Sequence, residues 1–235
     1  VSGSNPLRGT NVMLSREFLI KQKQCCGNGC HMCPYKPKHI KGSSKLRLDK
    51  EDVLIVCALE EETNGELDGH NVIYTGVGKV NATYELTAEL FFQMKLSKVP
   101  KLVINFGTAG SKDIPIHTLV KCTKFIQRDM NTIPLGTRLG ETPFEDNTPI
   151  SIDFNTDGYI CGTGDNFVED VNKEMHSDVF DMEAYALAKV CYKTGVDFIS
   201  YKYVTDNVNE KSANDWKDNC NKGVKEFKRL LKEYY

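Results

Sequence analysis

Between Asp52 and Leu59 the chain reads Val-Leu-Ile-Val-Cys-Ala, with no polar residue in the run. A segment with no polar face predicts a strand covered on both sides, as in the parallel sheets of α/β proteins. The runs "NVIYTGV" (71–77), "KLVINFGTAG" (101–110), "TLVKCTKF" (118–125), "GYICGTG" (158–164) and "FISYKYVTD" (198–206) predict further strands. Helical patterns lie between them. Residues from Lys79 to about Lys95 place Val80, Tyr84, Leu90 and Met94 at roughly helical spacing. "VFDMEAYALAKVC" (179–191) predicts a helix that stops at Thr194–Gly195, since glycine is the usual residue just past a helix end. "NKGVKEFKRLLKEYY" (221–235) sets Val224, Phe227, Leu231 and Tyr234 on one face. Strand and helix in alternation predict an α/β fold, a single layered domain with a central mixed sheet flanked by helices. The stretch from Asp129 to Asn155, carrying proline and glycine, reads as a long loop.

Charge divides the chain. Residues 1–50 carry a balance of +8, and the other residues −10, within a net charge of −2. We therefore expect a basic arm over 1–45 and a catalytic or binding domain over 46–235, joined by "KPKHIKGSSK" (36–45). The arm packs Cys25, Cys26, Cys30 and Cys33 into nine residues. With His31 or His39 nearby, these thiols offer the donors of a structural zinc or iron–sulfur site; the alternative is a reactive Cys-rich arm without metal. Its charge suits nucleic acid or another acidic partner. Cys57, Cys122, Cys161 and Cys191 lie singly in apolar runs and Cys220 in a polar one, a pattern expected of free thiols in a reducing cytoplasm. No run of about 18 apolar residues predicts a membrane helix, and the opening residues lack the apolar core of a signal peptide.

Ligands of open α/β sheets gather at the carboxyl ends of the strands. There the segments "ALEEET", "FGTAG", "GTGDNF" and "VTDN" deliver Glu60, Glu61 or Glu62, Thr108, Asp165 with Phe167, and Asp206. Glu183 adds a carboxylate at a helix head. Any one polar strand end is ordinary; several with matched chemistry suggest a site. "TGVGKV" is not a phosphate-binding P-loop, because Ile73 and Val80 stand where that motif needs Gly and Ser or Thr. No Gly-x-Gly-x-x-Gly follows a strand, so a dinucleotide fold has no support.

Taken together, "ALEEE" (58–62), "TGVGKVNA" (75–82), "INFGTAG" (104–110), "GTGDNF" (162–167), "DMEAYALAKVC" (181–191) and "YVTDN" (203–207) resemble the nucleoside phosphorylase/nucleosidase superfamily. The closest resemblance is to the 5′-methylthioadenosine/S-adenosylhomocysteine nucleosidases, and the "RDM…PLG…TPFED" loop (128–146) looks like a branch of the superfamily. The resemblance implies hydrolysis of a purine N-glycosidic bond without a catalytic cofactor. It implies Asp206 as the acid for purine N7, Glu183 as the carboxylate holding the ribose hydroxyls, and Glu62 as the group that orients or deprotonates water. It also implies that Phe167 stacks on the base, the Val168 backbone reads its edge, and Met182 packs under the ribose. Thr108 would contact the attacking water, Thr205 would hold Asp206, and Trp216 would line the pocket for the 5′ substituent. Lys202, counted with the substrate-binding residues, stands where the family's usual residue is Arg; it keeps the charge but loses the planar donor fork. Gly76 follows Glu62 after only fourteen positions, a shorter segment than in many relatives, which bears on the 5′ wall. The Glu triplet would repel phosphate, so water is the expected nucleophile. Relatives are mostly homodimers, and a homodimer is expected. The alternatives are another purine nucleoside or nucleotide as substrate, or an inactive nucleosidase-like adaptor acting through the arm.

Overall fold

The computed structural model describes residues 16–30, 33–36, 38–145, 148–154, 157–168, 175–209 and 212–235. The chain divides into two compact units, Val1–Leu48 with Tyr234–Tyr235, and Asp49–Glu233.

In the first unit, helix α1 (Arg16–Lys21) precedes the two-residue strands β1 (Tyr35–Lys36) and β2 (Lys45–Leu46), which pair antiparallel. Tyr35 is its centre: the ring is buried with Cys25 and Cys33, and its hydroxyl donates to the carbonyls of Leu19 (2.9 Å) and Ile20 (3.1 Å). Backbone bonds from Cys25 N–H to Ser43 (2.7 Å) and from Gly42 N–H to Cys25 (2.9 Å) tie "KPKHIKGSSK" to the cysteine loop. That segment is part of the unit, not a free linker.

In the second unit the apolar run forms β3 (Val53–Cys57), buried at every residue as its composition requires. β3 lies parallel to β4 (Val72–Tyr74) and to β5 (Leu102–Gly110). β6 (Leu119–Gln127) pairs antiparallel with the short β7 (Ser151–Asp153) and parallel with β8 (Tyr159–Thr163). β9 (Val179–Asp181) continues parallel to β8 and meets β5 antiparallel at Gly110 and Phe180. β10 (Asp197–Asp206) runs parallel to β5 and antiparallel to β6. The sheet is mixed, as expected. The pairings β5–β10–β6–β8–β9 return to β5, a ring closure that an alternating pattern does not announce.

Helices cover this sheet. From α2 (Lys79–Lys95), Ala82, Leu86 and Leu90 join the core; from α3 (Ala184–Thr194), Leu187, Ala188 and Cys191 do so, against Leu54, Val56 and Val103. Each such Leu is worth about 1.5–3 kcal/mol of burial. The predicted α2 face is corrected: Leu90 is inside, but Val80, Tyr84 and Met94 are 79%, 69% and 57% exposed. The helix at 179–191 is also corrected, because Val179–Asp181 is strand and the helix begins only at Ala184. It ends at Gly195 with φ 72°, as predicted. α4 (Ser212–Asn219) precedes α5 (Val224–Leu231), which buries Val224, Phe227 and Leu231; Phe227 stacks on Phe106 at 4.5 Å. Tyr234 lies beyond that helix. The stretch 129–155 holds a short 3-10 turn at Ile133–Leu135 and β7. Among the described residues no helix is long and apolar enough to cross a membrane.

Candidate active site

The carboxyl ends of β3, β5, β9 and β10 open on a cavity of about 310 Å³. Glu62, Glu183 and Asp206 line it together with Thr108, Phe167, Val168, Met182, Thr205 and Trp216. Three carboxyl groups from segments far apart in sequence thus share one pocket.

Each is held differently. Glu62 sits in the 3-10 turn after β3; its Oε1 accepts the Thr108 N–H (2.8 Å) and hydroxyl (2.9 Å), and its Oε2 accepts the Leu59 N–H (3.2 Å). All three contacts are donors to the Glu62 oxygens. The Thr108 hydroxyl in turn accepts Trp216 Nε1–H at 2.9 Å, fixing the indole against the pocket wall. Asp206 ends β10; its Oδ1 accepts the Val208 N–H (3.0 Å) and its Oδ2 the Thr205 hydroxyl (3.1 Å). Gly110 is required opposite it, since a Cβ there would stand 2.7 Å from Asp206 Oδ1.

Glu183 precedes α3, and its Oε1 accepts the Gly78 N–H at 2.8 Å. Burial, reinforced by the neighbouring Asp181 carboxylate, pushes the Glu183 carboxyl up to about 8. Asp181 follows the opposite course. Burial alone would raise it, but the Lys202 ammonium at 2.7 Å holds it below the ordinary range. Its Oδ1 accepts the Thr163 hydroxyl (2.5 Å), and its Oδ2 also accepts the N–H groups of Glu183 (3.3 Å) and Ala184 (2.8 Å) at the head of α3. Asp181 thus anchors the backbone that carries Glu183, two residues on.

Lys202 is displaced from its expected role. It is absent from the cavity wall, only 1% exposed, and its ammonium ends on Asp181. That ammonium lies close to Gly107, where a Cβ would stand 3.3 Å from both Lys202 Nζ and Glu62 Oε1. Asp165, grouped with Phe167 in the sequence, faces Lys79 instead of the cavity (3.4 Å). Val77, Arg128, Phe180 and Val208 also line the pocket and carry no isolated sequence signal. Val168, Phe180 and Val208 form a small apolar cluster there, assembled only by the ring closure.

A family profile described as the phosphorylase superfamily matches residues 59–235. The chain belongs to the phosphorylase superfamily. Within that superfamily, a 5′-methylthioadenosine/S-adenosylhomocysteine nucleosidase of Haemophilus influenzae is 27% identical over 80% of this chain and 90% of its own. One of Psychromonas ingrahamii is 29% identical over 72% and 81%. Among solved structures, a Helicobacter pylori 5′-methylthioadenosine-bound nucleosidase mutant aligns at TM-score 0.65 and 24% identity, covering 77% of this chain and 98% of that one. The Helicobacter pylori futalosine hydrolase aligns at 0.66 and 23%, covering 77% and 96%. These likenesses establish a superfamily fold for the second unit.

Among the described residues the four cysteines of the first unit fall into two pairs. Cys25 and Cys33 are buried 3.6 Å apart beneath Tyr35, whereas Cys26 and Cys30 face outward 3.5 Å apart. Among the described residues no group of three or more metal-ligating side chains converges; His31 lies outside them.

Proposed function

We propose that the protein hydrolyses the N-glycosidic bond of a purine nucleoside of the 5′-methylthioadenosine/S-adenosylhomocysteine type, releasing the free base. The observation that carries this is the meeting of Glu62, Glu183 and Asp206 in one pocket beside Phe167 and Trp216. The bond between C1′ and the purine breaks with its electron pair passing to the base. Asp206 gives a proton to N7, and Glu183 holds the ribose hydroxyls and offsets the cationic sugar. Water bonds to C1′ and yields its proton to Glu62. Such two-sided carboxylate chemistry is shared with sugar hydrolases, and a positioned acid contributes about 10²–10⁴-fold.

Water is favoured over phosphate by the pocket's charge. Glu62, Asp181, Glu183 and Asp206 line it, and Arg128 is the cation among the described lining residues. Its guanidinium donates to the Asn166 side chain (3.1 Å) and to the carbonyls of Gly164 (3.4 Å) and Asn166. An incubation with 5′-methylthioadenosine, with and without phosphate, tests the proposal. Adenine released equally in both supports hydrolysis, and release only with phosphate rejects it.

A homodimer through α2 and α3 accords with this reading. Val80, Tyr84 and Phe91 are exposed beside a groove of about 750 Å³ that Tyr185 and Val190 also line, an apolar surface of the kind association covers. Light scattering of the parent and of Phe91→Glu tests it; a monomeric parent excludes it.

A further inference from the structure

Resting on the hydrolase reading, we propose that Lys79, Arg128, Asp129 and Asp165 form a positioning unit that sets the base-stacking loop against the ribose-holding carboxylate.

The four residues come from three segments. Lys79 is the first residue of α2, Arg128 and Asp129 follow β6, and Asp165 lies in the turn after β8. The Lys79 ammonium donates to both Asp129 oxygens at 2.5 Å and lies 3.4 Å from Asp165 Oδ2. Asp129 Oδ2 accepts the Asp165 N–H at 3.0 Å, and Asp165 Oδ1 accepts the Lys79 N–H at 2.9 Å. Two carboxylates would repel each other at this spacing; the shared ammonium and N–H groups make the cluster favourable. Asp165 thereby also places a negative charge at the N-terminus of α2.

The unit reaches substrate-facing groups at both ends. Gly78 precedes Lys79 and donates its N–H to Glu183 (2.8 Å). It holds φ 93°, and a Cβ there would stand 3.2 Å from Asp165 Oδ1, so glycine is needed for the approach. At the other end Arg128 grips Gly164 and Asn166, and Phe167 is the next residue. Gly164 leaves room for that grip, because a Cβ would lie 2.7 Å from Arg128 Cζ. The Arg128 N–H closes the set on the Thr163 carbonyl at 3.0 Å. None of Lys79, Asp129 and Asp165 lines the cavity. Their effect on substrate passes through Gly78–Glu183 and Asn166–Phe167.

Trp216 is the single tryptophan and lines the cavity, so its fluorescence reports ligand binding without turnover. Adenine titration and steady-state kinetics with 5′-methylthioadenosine are compared for the parent, Lys79→Met, Asp129→Asn, their double variant and Lys79→Arg. Lys124→Met serves as a control, since Lys124 pairs with Asp153 at 3.7 Å on the surface. Loosening a positioned loop by a fraction of an ångström predicts about a tenfold loss of adenine affinity and a matching rise in KM. The double variant should lose no more than either single one, and Lys79→Arg should restore most of the loss. Additive losses, or single variants that bind adenine and turn over as the parent does, overturn the inference. A parent that releases adenine while the variants match it rejects this role alone. A parent that neither binds adenine nor releases it rejects the hydrolase reading and this role with it.

Discussion

Two clusters of reactive side chains stand out in this chain, and they behave oppositely in three dimensions. Glu62 lies more than a hundred residues before Glu183 and Asp206, and all three share one pocket. Cys25, Cys26, Cys30 and Cys33 fall within nine residues and split into an inward and an outward pair. Nearness along the chain does not place side chains on one side of the backbone. Strand ends gathered by a ring-closed sheet do.

The comparison breaks first at its support. Lys202→Met removes the partner of a buried carboxylate and should cost about 3–5 kcal/mol of stability, read as a fall in the denaturation midpoint. A loss below about 1 kcal/mol would mean that Asp181 needs no buried partner. Chemistry comes next. Asp206→Asn should lower kcat at least ~10²-fold with its denaturation midpoint little changed, and near-normal turnover would remove it from the mechanism.

A subtler prediction concerns Glu183, whose carboxyl lies near 8 in the fold and 4.5 outside it. If the ionised form holds the ribose, kcat/KM should climb with pH until about 8 and then level. The sign for stability is reversed. Its share of stability is fully present below about 4.5 and is lost as pH rises through 8, because ionisation in the folded state is disfavoured. A flat kcat/KM from about pH 6 to 9 would show that either form serves.

The smallest effect tests the thiols. Cys26→Ser, at an exposed position, should change stability by less than about 0.5 kcal/mol, while Cys25→Ser in the Tyr35 core should cost more. Stoichiometric metal in the parent, lost in Cys26→Ser, would overturn the two-pair description; elemental analysis decides it.

Much of the architecture is written locally. β3 is legible because a run without polar residues has few other places to go, and α2 spans Lys79–Lys95 as its pattern predicts. The stop at Gly195 is equally local, being a matter of backbone conformation. The carboxylates were legible by residue type and by position at strand ends. Tertiary structure decided the rest. Periodicity named Val80, Tyr84, Leu90 and Met94 as the α2 face; of these Leu90 is buried, together with Ala82 and Leu86, because α3 and the sheet set which side of α2 meets the core. Val179–Asp181 became strand because β8 and β5 were there to pair with it, hydrogen bonds no local pattern can foresee. The same holds for charge. Lys202 looks like a site residue in sequence, yet its ion pair with Asp181 in a dry interior leaves it off the cavity wall, and Glu183 is the carboxyl with the raised proton affinity. Side-chain chemistry is a property of the sequence; which group faces substrate, which neighbour shifts its proton and which thiol meets which depend on distances that only packing sets.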